Sequence, residues 1–318
     1  MHVGLHDDNT GFPNLALMKL SAWHKGQGDA VSRFTALNQF DKVYSSKVFT
    51  FTPEDPYLPE TTDKGGTGYG LYTDLPEEIE HTCPDYSLYD ADYSMGFLTR
   101  GCIRNCPWCF VPRKEGGIRA HADVSEFLRH RDVVLLDNNV LTCSHGIAQI
   151  EKMAKLGVRV DFNQGLDARV IDDSAARLLG RLTWLKPLRL ACDTAAMIPV
   201  IQKAVSLLRW HNVTPSQYFC YCLVDDVADA LERVRFLKGI YVYPFCQVLV
   251  TDKGANPTKE QKYLCEWVNQ RVTFRSCTFD EFLESKRQGH GKKFLTSPLT
   301  PSEILGTLTA NEGRSPSR

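Results

Sequence analysis

The stretch YSMGFLTRGCIRNCPWCF, residues 93–110, decides the fold. It begins with the apolar segment Tyr93–Leu98, which predicts a buried β-strand. A glycine and then three cysteines within eight residues follow that strand. Parallel α/β proteins bind ligands at the carboxyl ends of their strands. The sequence therefore predicts that the cysteines lie on a loop at the ligand-binding edge of a parallel sheet.

Five further apolar segments follow at regular spacing, with amphipathic helical patterns between them. One helix is expected to begin after Asp225 or Asp226, either of which is a suitable N-cap, and to end just before Gly239. Crossovers of this length join parallel strands. Six strand–helix repeats therefore predict an α/β fold, a partial (β/α)₆ barrel with fewer strands than a closed (β/α)₈ barrel. The other predicted strands are Asp132–Leu136, Val158–Phe162, Leu188–Cys192, Tyr218–Val224 and Tyr241–Val250.

The segments flanking the barrel differ from it in composition and pattern. A small Rossmann-like α/β unit precedes the barrel, and within it the Pro-, Gly- and Thr-rich segment from Pro53 to Gly70 is predicted to be loop. A Ser-, Thr- and Pro-rich tail ends the chain and is predicted to be disordered. The predicted parts are residues 1–75 for the first unit, 76–92 for a linker, 93–255 for the barrel, 256–295 for a helical segment and 296–318 for the tail.

Composition limits the function classes. The chain has 318 residues, 37 basic and 38 acidic side chains and a net charge of −1, so no global field attracts nucleic acid or an anionic membrane. The amino terminus lacks the pattern of a secretory signal, and no apolar run reaches the ~20 residues of a membrane span. We therefore expect a cytoplasmic protein without a membrane partner, whose 11 cysteines are thiols or metal ligands.

The strongest chemical signal is the spacing of Cys102, Cys106 and Cys109, which is C-x₃-C-x₂-C. Three thiolates on one short loop are suited to an iron–sulfur cluster. Because a 4Fe–4S cube has four irons, three cysteines leave one iron open to a non-protein ligand. An open metal position is typical of a catalytic site and not of a structural one.

Two other metal sites are possible on spacing alone. A zinc site needs a fourth ligand, and the nearest downstream pair, Cys220 and Cys222, lies in an apolar strand without a C-x₂-C partner. A ferredoxin-type electron-transfer cluster also needs a fourth cysteine, which Cys143 or Cys83 would have to supply. The loop alone does not distinguish these alternatives.

With Trp108 between the second and third cysteines, the motif C-x₃-C-x-aromatic-C resembles that of the radical S-adenosylmethionine enzymes. The resemblance implies that the three cysteines hold a 4Fe–4S cluster whose fourth iron binds the amino and carboxylate groups of S-adenosylmethionine. It implies an external electron donor of the flavodoxin or ferredoxin type and a 5′-deoxyadenosyl radical that takes hydrogen from a substrate. It also implies the partial (β/α)₆ barrel.

The resemblance extends along the barrel and is closest to the branch with a cobalamin-binding-type domain before it. In this family, polar groups at the strand ends contact S-adenosylmethionine, and the adenine packs on the fifth strand. No catalytic side chain is assigned. The implied contacts are Asp137 or Asn138 for the methionine ammonium, Gln164 and Arg169 for its carboxylate, the ribose or the substrate, Asp193 for the ribose or substrate, and Val224 for the adenine.

Residues 1–75 resemble a reduced cobalamin-binding domain. Ser45–Val48 and the pair Gly65–Gly66 fall where that domain carries its conserved serine and glycines, but the D-x-H-x-x-G motif is absent. Cobalamin is therefore an alternative cofactor that the sequence does not favour. The predicted function is a radical S-adenosylmethionine enzyme acting on an unknown organic or macromolecular substrate. The alternatives are a cobalamin-dependent radical methyltransferase, a methylthiotransferase-like enzyme that modifies nucleic acid, and a non-catalytic metal-binding module.

Overall fold

A computed structural model of the chain describes residues 1–8, 11–249 and 256–288. The predicted tail, residues 296–318, lies outside the described residues, as does the end of the predicted helical segment. The strands are β1 (His2–Asp7), β2 (Ala30–Arg33), β3 (Lys42–Ser46), β4 (Asp63–Gly65), β5 (Ser94–Gly96), β6 (Thr99–Arg100), β7 (Arg119–Ala120), β8 (Asp132–Leu135), β9 (Arg159–Phe162), β10 (Thr183–Trp184), β11 (Leu188–Ala191), β12 (Tyr218–Val224) and β13 (Tyr243–Val248).

The helices range from single turns to thirteen residues. None of those in the described part of the chain is long and apolar enough to cross a membrane. They are α1 (Leu15–Gly26), α2 (Glu77–Glu80), α3 (Val111–Lys114), α4 (Val124–Phe127), α5 (Ser144–Leu156), α6 (Asp173–Leu179), α7 (Ile198–Trp210), α8 (Val227–Gly239), α9 (Lys259–Asn269), α10 (Arg271–Ser276) and α11 (Phe279–Arg287).

The amino-terminal unit is a four-stranded parallel sheet in the order β2-β1-β3-β4. Helix α1 begins at Asn14, whose side chain accepts a hydrogen bond from the backbone N–H of Leu17. The prediction of loop throughout Pro53–Gly70 was wrong at Asp63–Gly65, which forms the edge strand β4. A three-residue strand has too few side chains to show alternation, so its pairing with β3 decides its conformation.

The larger unit has the predicted parallel α/β class. Its strands form two parallel sheets, in the orders β10-β9-β8-β5 and β11-β12-β13. Each of the six predicted strands is present within two residues of its predicted ends. The additional strands in the described part of this unit are three two-residue strands, β10 and the antiparallel pair β6 and β7. The helix predicted after Asp225 or Asp226 is α8, which has Asp226 as its N-cap and includes Gly239 as its last residue.

The two sheets of the larger unit adjoin at the carboxyl ends of β9 and β11. The backbone N–H of Leu166 donates to the carbonyl of Arg189 at 2.9 Å, and the Arg189 guanidinium pairs with the buried carboxylate of Asp161. Gly165, at φ +86°, allows this approach, since a Cβ there would lie 3.0 Å from the Arg189 carbonyl oxygen. Polar groups therefore join the two sheets near the carboxyl ends of their strands.

The predicted linker is ordered and forms hydrogen bonds with both units. The Tyr86 hydroxyl donates to the carbonyl of Phe127 at 2.6 Å, and the Tyr89 hydroxyl donates to the Asp7 carboxylate at 2.5 Å. Asp85 also accepts a hydrogen bond from Ser21 on α1 at 2.6 Å. Because these bonds reach β1 and α1 on one side and α4 on the other, the linker fixes the amino-terminal unit against the larger unit.

Arg233 holds the carboxyl ends of β11 and β12 from the helical layer. Its side chain is almost fully buried in α8 and donates to the carbonyls of Cys192 at 2.6 Å and Leu223 at 2.9 Å, while Asp229 neutralises its charge. Two carbonyls that the sheet leaves free are thus satisfied by one guanidinium.

We expect Arg233→Met to lower the free energy of unfolding by about 3–5 kcal/mol, because two buried carbonyls and Asp229 lose their partner. Urea unfolding followed by circular dichroism measures the change. Arg235→Met is the matched control, since Arg235 is exposed on the same helix, and it should change the free energy by less than about 0.5 kcal/mol. Equal effects of the two substitutions would contradict the assignment.

Candidate functional site

The cysteine loop, residues 101–118, is closed at its base by an antiparallel pair. Strand β6 pairs with β7, so Thr99 faces Ala120 and the loop leaves and returns at one place. Gly101 has φ +80°, and a Cβ on it would lie 2.2 Å from the carbonyl oxygen of Gly117. The Cys102 N–H donates to the carbonyl of Gly116 at 3.2 Å. A glycine is therefore required immediately before the first cysteine.

Asp137 fixes the strand that leads into the loop. Its buried carboxylate follows β8 and accepts hydrogen bonds from the N–H groups of Leu98 (3.2 and 3.1 Å) and Thr99 (2.6 Å) and from the Thr99 hydroxyl (2.6 Å). Burial raises the pKa of Asp137 to about 6, although these hydrogen bonds favour its ionised form. Asp137 therefore positions the loop, and its predicted contact with S-adenosylmethionine stays a prediction.

The three cysteine thiols lie on the exposed half of the loop. Each is partly exposed, and a turn in which the Cys109 N–H donates to the Cys106 carbonyl at 3.0 Å brings the last two together. Burial raises the pKa of the Cys109 thiol, and negative charge on Cys106 and Cys102 raises it further. Trp108 and Phe110 beside them are 41% and 45% exposed. The loop thus presents three partly exposed thiols, with an exposed aromatic ring on either side of Cys109 in the sequence.

Asn139 links the end of β8 to the first cysteine. Its side chain is 3% exposed, and its Nδ2 donates to Cys102 Sγ at 3.4 Å and to Asp167 at 3.3 Å. The Arg104 N–H donates to the same sulfur at 3.3 Å. Donors directed at a sulfur stabilise its thiolate form. The Asn139 Oδ1 atom is buried and has no hydrogen-bond partner among the described residues.

The Asp167 carboxylate pairs with two arginine side chains of the site. Its carboxylate accepts hydrogen bonds from Arg104 Nε at 2.9 Å and from Arg169 Nε at 2.6 Å. Burial favours the protonated acid, but the hydrogen bonds from Arg169 and Arg104 outweigh it and lower the pKa of Asp167. The Arg169 guanidinium also contacts Cys106. Asp167 therefore holds two guanidinium groups at the cysteine loop, one of which, that of Arg169, reaches Cys106.

Glu115 closes the other side of the loop base. Its largely buried carboxylate accepts from the Gly101 N–H at 2.9 Å and from Asn138 Nδ2 at 3.0 Å, and Arg100 Nε lies 3.3 Å away. The predicted residue Asn138 is thus beside the cysteine loop, and its amide nitrogen is engaged by Glu115.

The remaining predicted residues lie at the carboxyl ends of β9, β11 and β12 and differ in their burial. Gln164 is exposed after β9, and its amide contacts only Asn163 among the described residues. Asp193 follows β11 and accepts from the Leu223 N–H at 3.1 Å; burial raises its pKa, and the charge of Arg169 partly opposes this. Val224 has a fully buried side chain, and its carbonyl accepts from Leu249 at 3.0 Å. The structure brings Arg169 to Cys106, places Asp193 within range of the Arg169 charge and leaves Val224 in the core.

Within the described ranges, no three or more His, Cys, Asp or Glu side chains are arranged to hold a single metal ion. A 4Fe–4S cluster needs a different arrangement of ligands from a single metal ion, because each thiolate binds a different iron of the cube. Three thiols on one loop, with N–H donors on the Cys102 sulfur and guanidinium groups nearby, are a donor set that suits such a cluster.

The polar groups of the amino-terminal sheet edge are bonded within the protein. Ser45 Oγ lies 2.9 Å from His6 and 2.7 Å from the Tyr69 hydroxyl. A Cβ on Gly66 would lie 2.5 Å from the Lys47 carbonyl oxygen, so this glycine serves the close packing of its own backbone. Ser45 and Gly66, which the resemblance places at the serine and glycine positions of a cobalamin-binding domain, are thus engaged within the protein itself.

Sequence reasoning did not place Asn139, Glu115 or Asp167 in the site. Asp167 does cap a short helical turn, as its bond to the Arg169 N–H shows, but it also pairs with Arg104, 63 residues away. Asn139 stands next to a predicted residue, so the same strand-end argument covers it. Nothing in the sequence around Glu115 indicates its contact with Gly101.

No protein-family model matches this chain, and no curated protein matches it in sequence.

The pKa of Asp137 predicts a pH dependence of stability. Because the folded value of about 6 lies above the ordinary value, the native state binds more protons than the unfolded state between about pH 4 and 6. The contribution of Asp137 to the free energy of unfolding therefore falls as the pH rises through this window, by about 3 kcal/mol, and is constant above it. Asp137→Asn removes this component.

The measurement is urea unfolding of metal-free protein and of Asp137→Asn at pH 4.5, 6.0 and 7.5. The difference between the two proteins should change between pH 4.5 and 6.0 and then stay level. Parallel curves over the whole range would show that Asp137 is ionised in the native state at pH 4.5.

Proposed function

We propose that this chain is a radical S-adenosylmethionine enzyme in which Cys102, Cys106 and Cys109 hold a 4Fe–4S cluster. The observation that carries the proposal is the cysteine loop itself. Its three thiols, spaced C-x₃-C-x₂-C, follow a parallel strand and stand beside Arg104, Arg169 and the Asn139 amide. When bound, the cluster would supply the electron that cleaves S-adenosylmethionine to methionine and a 5′-deoxyadenosyl radical.

The proposed architecture is one partial (β/α)₆ barrel. Apart from the two-residue β10, the two parallel sheets supply six strands, and the contact between Leu166 and Arg189 supports joining them at β9 and β11. In such a barrel the carboxyl ends of all six strands surround the cysteine loop. Arg169 and Asp193 would then face the same opening as the thiols.

Asn139 is the residue we propose for the ammonium group of S-adenosylmethionine. The carboxylate oxygens of Asp137 are occupied by Leu98 and Thr99, and the Asn138 amide is engaged by Glu115. The Asn139 Oδ1 is buried without a partner, and such an acceptor is costly unless a ligand donates to it. Its place beside Cys102 suits a group held next to the cluster.

Arg169 is proposed to bind the carboxylate of the same ligand. Its guanidinium lies between Asp167 and Cys106 and is 37% exposed, so donors are free to face an anion. Asp193 follows the next strand, where the positive charge of Arg169 affects its pKa, and its carboxylate suits a ribose hydroxyl.

The electron is proposed to come from a flavodoxin- or ferredoxin-type protein. The class of substrate is open.

The proposal is tested by anaerobic reconstitution with iron and sulfide. We expect a brown protein with about four irons per chain, which forms 5′-deoxyadenosine from S-adenosylmethionine after reduction with dithionite. Cys102→Ala, Cys106→Ala and Cys109→Ala should each abolish both properties, because three thiolates are the whole protein ligand set. Iron analysis and chromatography of the products measure them.

Cys83→Ala is the matched control, since Cys83 is a partly buried cysteine outside the loop and should be dispensable. A colourless protein that takes up zinc and leaves S-adenosylmethionine intact would establish the metal-binding module instead. Labelled methyl groups transferred to a product in the presence of hydroxocobalamin would favour the methyltransferase.

Asn139→Leu tests the bond to Cys102. A hydrogen bond to a cluster thiolate stabilises the reduced, more negative state, so its loss should make the reduction potential more negative. The shift should be at most about 60 mV, since a hydrogen bond worth about 1.5 kcal/mol corresponds to that value for one electron. Redox titration followed by electron paramagnetic resonance measures it. Asn138→Leu, which removes no bond to a thiol, should leave the potential unchanged; equal shifts in both variants would refute the assignment.

A further inference from the structure

A second polar cavity lies between the linker and the base of the cysteine loop. It has a volume of about 270 Å³ and is lined from the linker side by Asp74, Glu77 and Glu80 and from the loop side by Arg100, Arg119 and His121. This is close to the lower end of the sizes of small-molecule sites. None of the residues that the proposed function places beside the thiols lines it.

Two of the residues that line the cavity carry buried nitrogen atoms without hydrogen-bond partners. Four buried side-chain nitrogen or oxygen atoms in the described part of the chain lack a partner, and Arg100 Nε and His121 Nε2 are two of them. The Arg100 side chain is only 10% exposed. Glu115 lies 3.3 Å from Arg100 Nε, and Glu80 lies 3.1 Å from His121 Nε2, but neither carboxylate is aligned to accept from these atoms.

The negative charge of Glu80, which lines the cavity, is neutralised by neighbouring basic side chains. Its carboxylate pairs with the buried Lys19 at 2.9 Å, and His121 and Arg100 lie on its other side. Burial opposes ionisation, but these neighbours outweigh it and lower the pKa of Glu80 to about 2. Since an arginine cannot be deprotonated, the Arg100 Nε–H requires an acceptor from elsewhere. The interior therefore favours the oxygen atoms of an anionic group.

The opening of the cavity favours a cationic group instead. Asp74 is 53% exposed, and Glu77 on α2 is exposed beside it. Asp74 reaches Arg100 and Arg119 only at 3.5 and 3.4 Å, which is long for a charged pair. A ligand carboxylate could replace it there and leave two rim carboxylates for a cation.

We propose that this cavity binds a small zwitterionic α-amino acid, with its carboxylate on Arg100 and Arg119 and its ammonium on Asp74 and Glu77. A simple anion such as phosphate would meet the rim carboxylates, and a simple cation would leave the interior donors unsatisfied. Leu75, which also lines the cavity, suits a short apolar side chain. The proposal does not depend on the cluster chemistry.

The test measures binding of L-alanine, propionate and ethylamine to the reconstituted full-length protein by titration calorimetry. Saturating S-adenosylmethionine is present throughout, so that any site for its methionine moiety is filled. We expect L-alanine to bind and both single-charge analogues to bind at least tenfold more weakly, since each lacks one charge-assisted contact.

Two pairs of variants locate the site. Arg119→Gln and Glu77→Gln should each weaken L-alanine binding by about tenfold. Arg113→Gln, on the same loop but outside the cavity, and Glu78→Gln, the exposed neighbour on α2, should change it less than twofold. All four substitutions are at exposed positions, and thermal melting checks that the variants fold.

Three results would overturn the proposal. Absence of L-alanine binding to the unaltered protein would mean that water satisfies Arg100 and His121. Equal affinity for propionate would make this a plain carboxylate site. Binding that neither Arg119→Gln nor Glu77→Gln weakens would place the amino acid elsewhere on the chain.

Discussion

The buried carboxylate of Asp137 is the constraint on which the cysteine loop depends. It receives every hydrogen bond that Leu98 and Thr99 donate at this point, just where the chain leaves β5 and turns toward Gly101. Without an acceptor there, two buried N–H groups and a hydroxyl would be unsatisfied, at about 1–3 kcal/mol each. The raised pKa of Asp137 shows the cost of keeping that acceptor out of water. Burial of the Asp137 carboxylate therefore lowers the stability of the fold, but its hydrogen bonds fix the conformation at the start of the loop.

The rest of the loop is held in the same way, by polar groups and not by apolar burial. Ile103, Trp108 and Phe110 on its outer half are all exposed, so hydrophobic packing contributes little there. Order comes instead from Asp167, which gathers Arg104 and Asn139, and from the close approach of Gly101 to Gly117. The result is a fixed base beneath exposed thiols, an arrangement that suits a site whose remaining ligands are not part of the protein.

The sequence predicted what depends on local pattern. The strands around Asp132–Leu135 and Arg159–Phe162 are buried apolar runs, and the Asp226 cap acts within one helical turn, so both were found to within two residues. The contacts that shape the site join residues far apart in the chain, such as Arg104 to Asp167 across 63 residues and Asn139 to Cys102 across 37. No periodicity encodes such a pair, because each member also has an ordinary local role.

Arg100 connects the cysteine loop with the polar cavity behind it. Its guanidinium lines the cavity behind the loop, while Glu115, which lies 3.3 Å from its Nε, accepts a hydrogen bond from the Gly101 N–H beside the first cysteine. Its backbone belongs to β6, whose pairing with β7 closes the loop. One residue therefore supports the base of the cysteine loop and carries an unsatisfied donor into the cavity. Since an arginine is always charged, its burial here needs the carboxylates of Glu80, Asp74 and Glu115 around it.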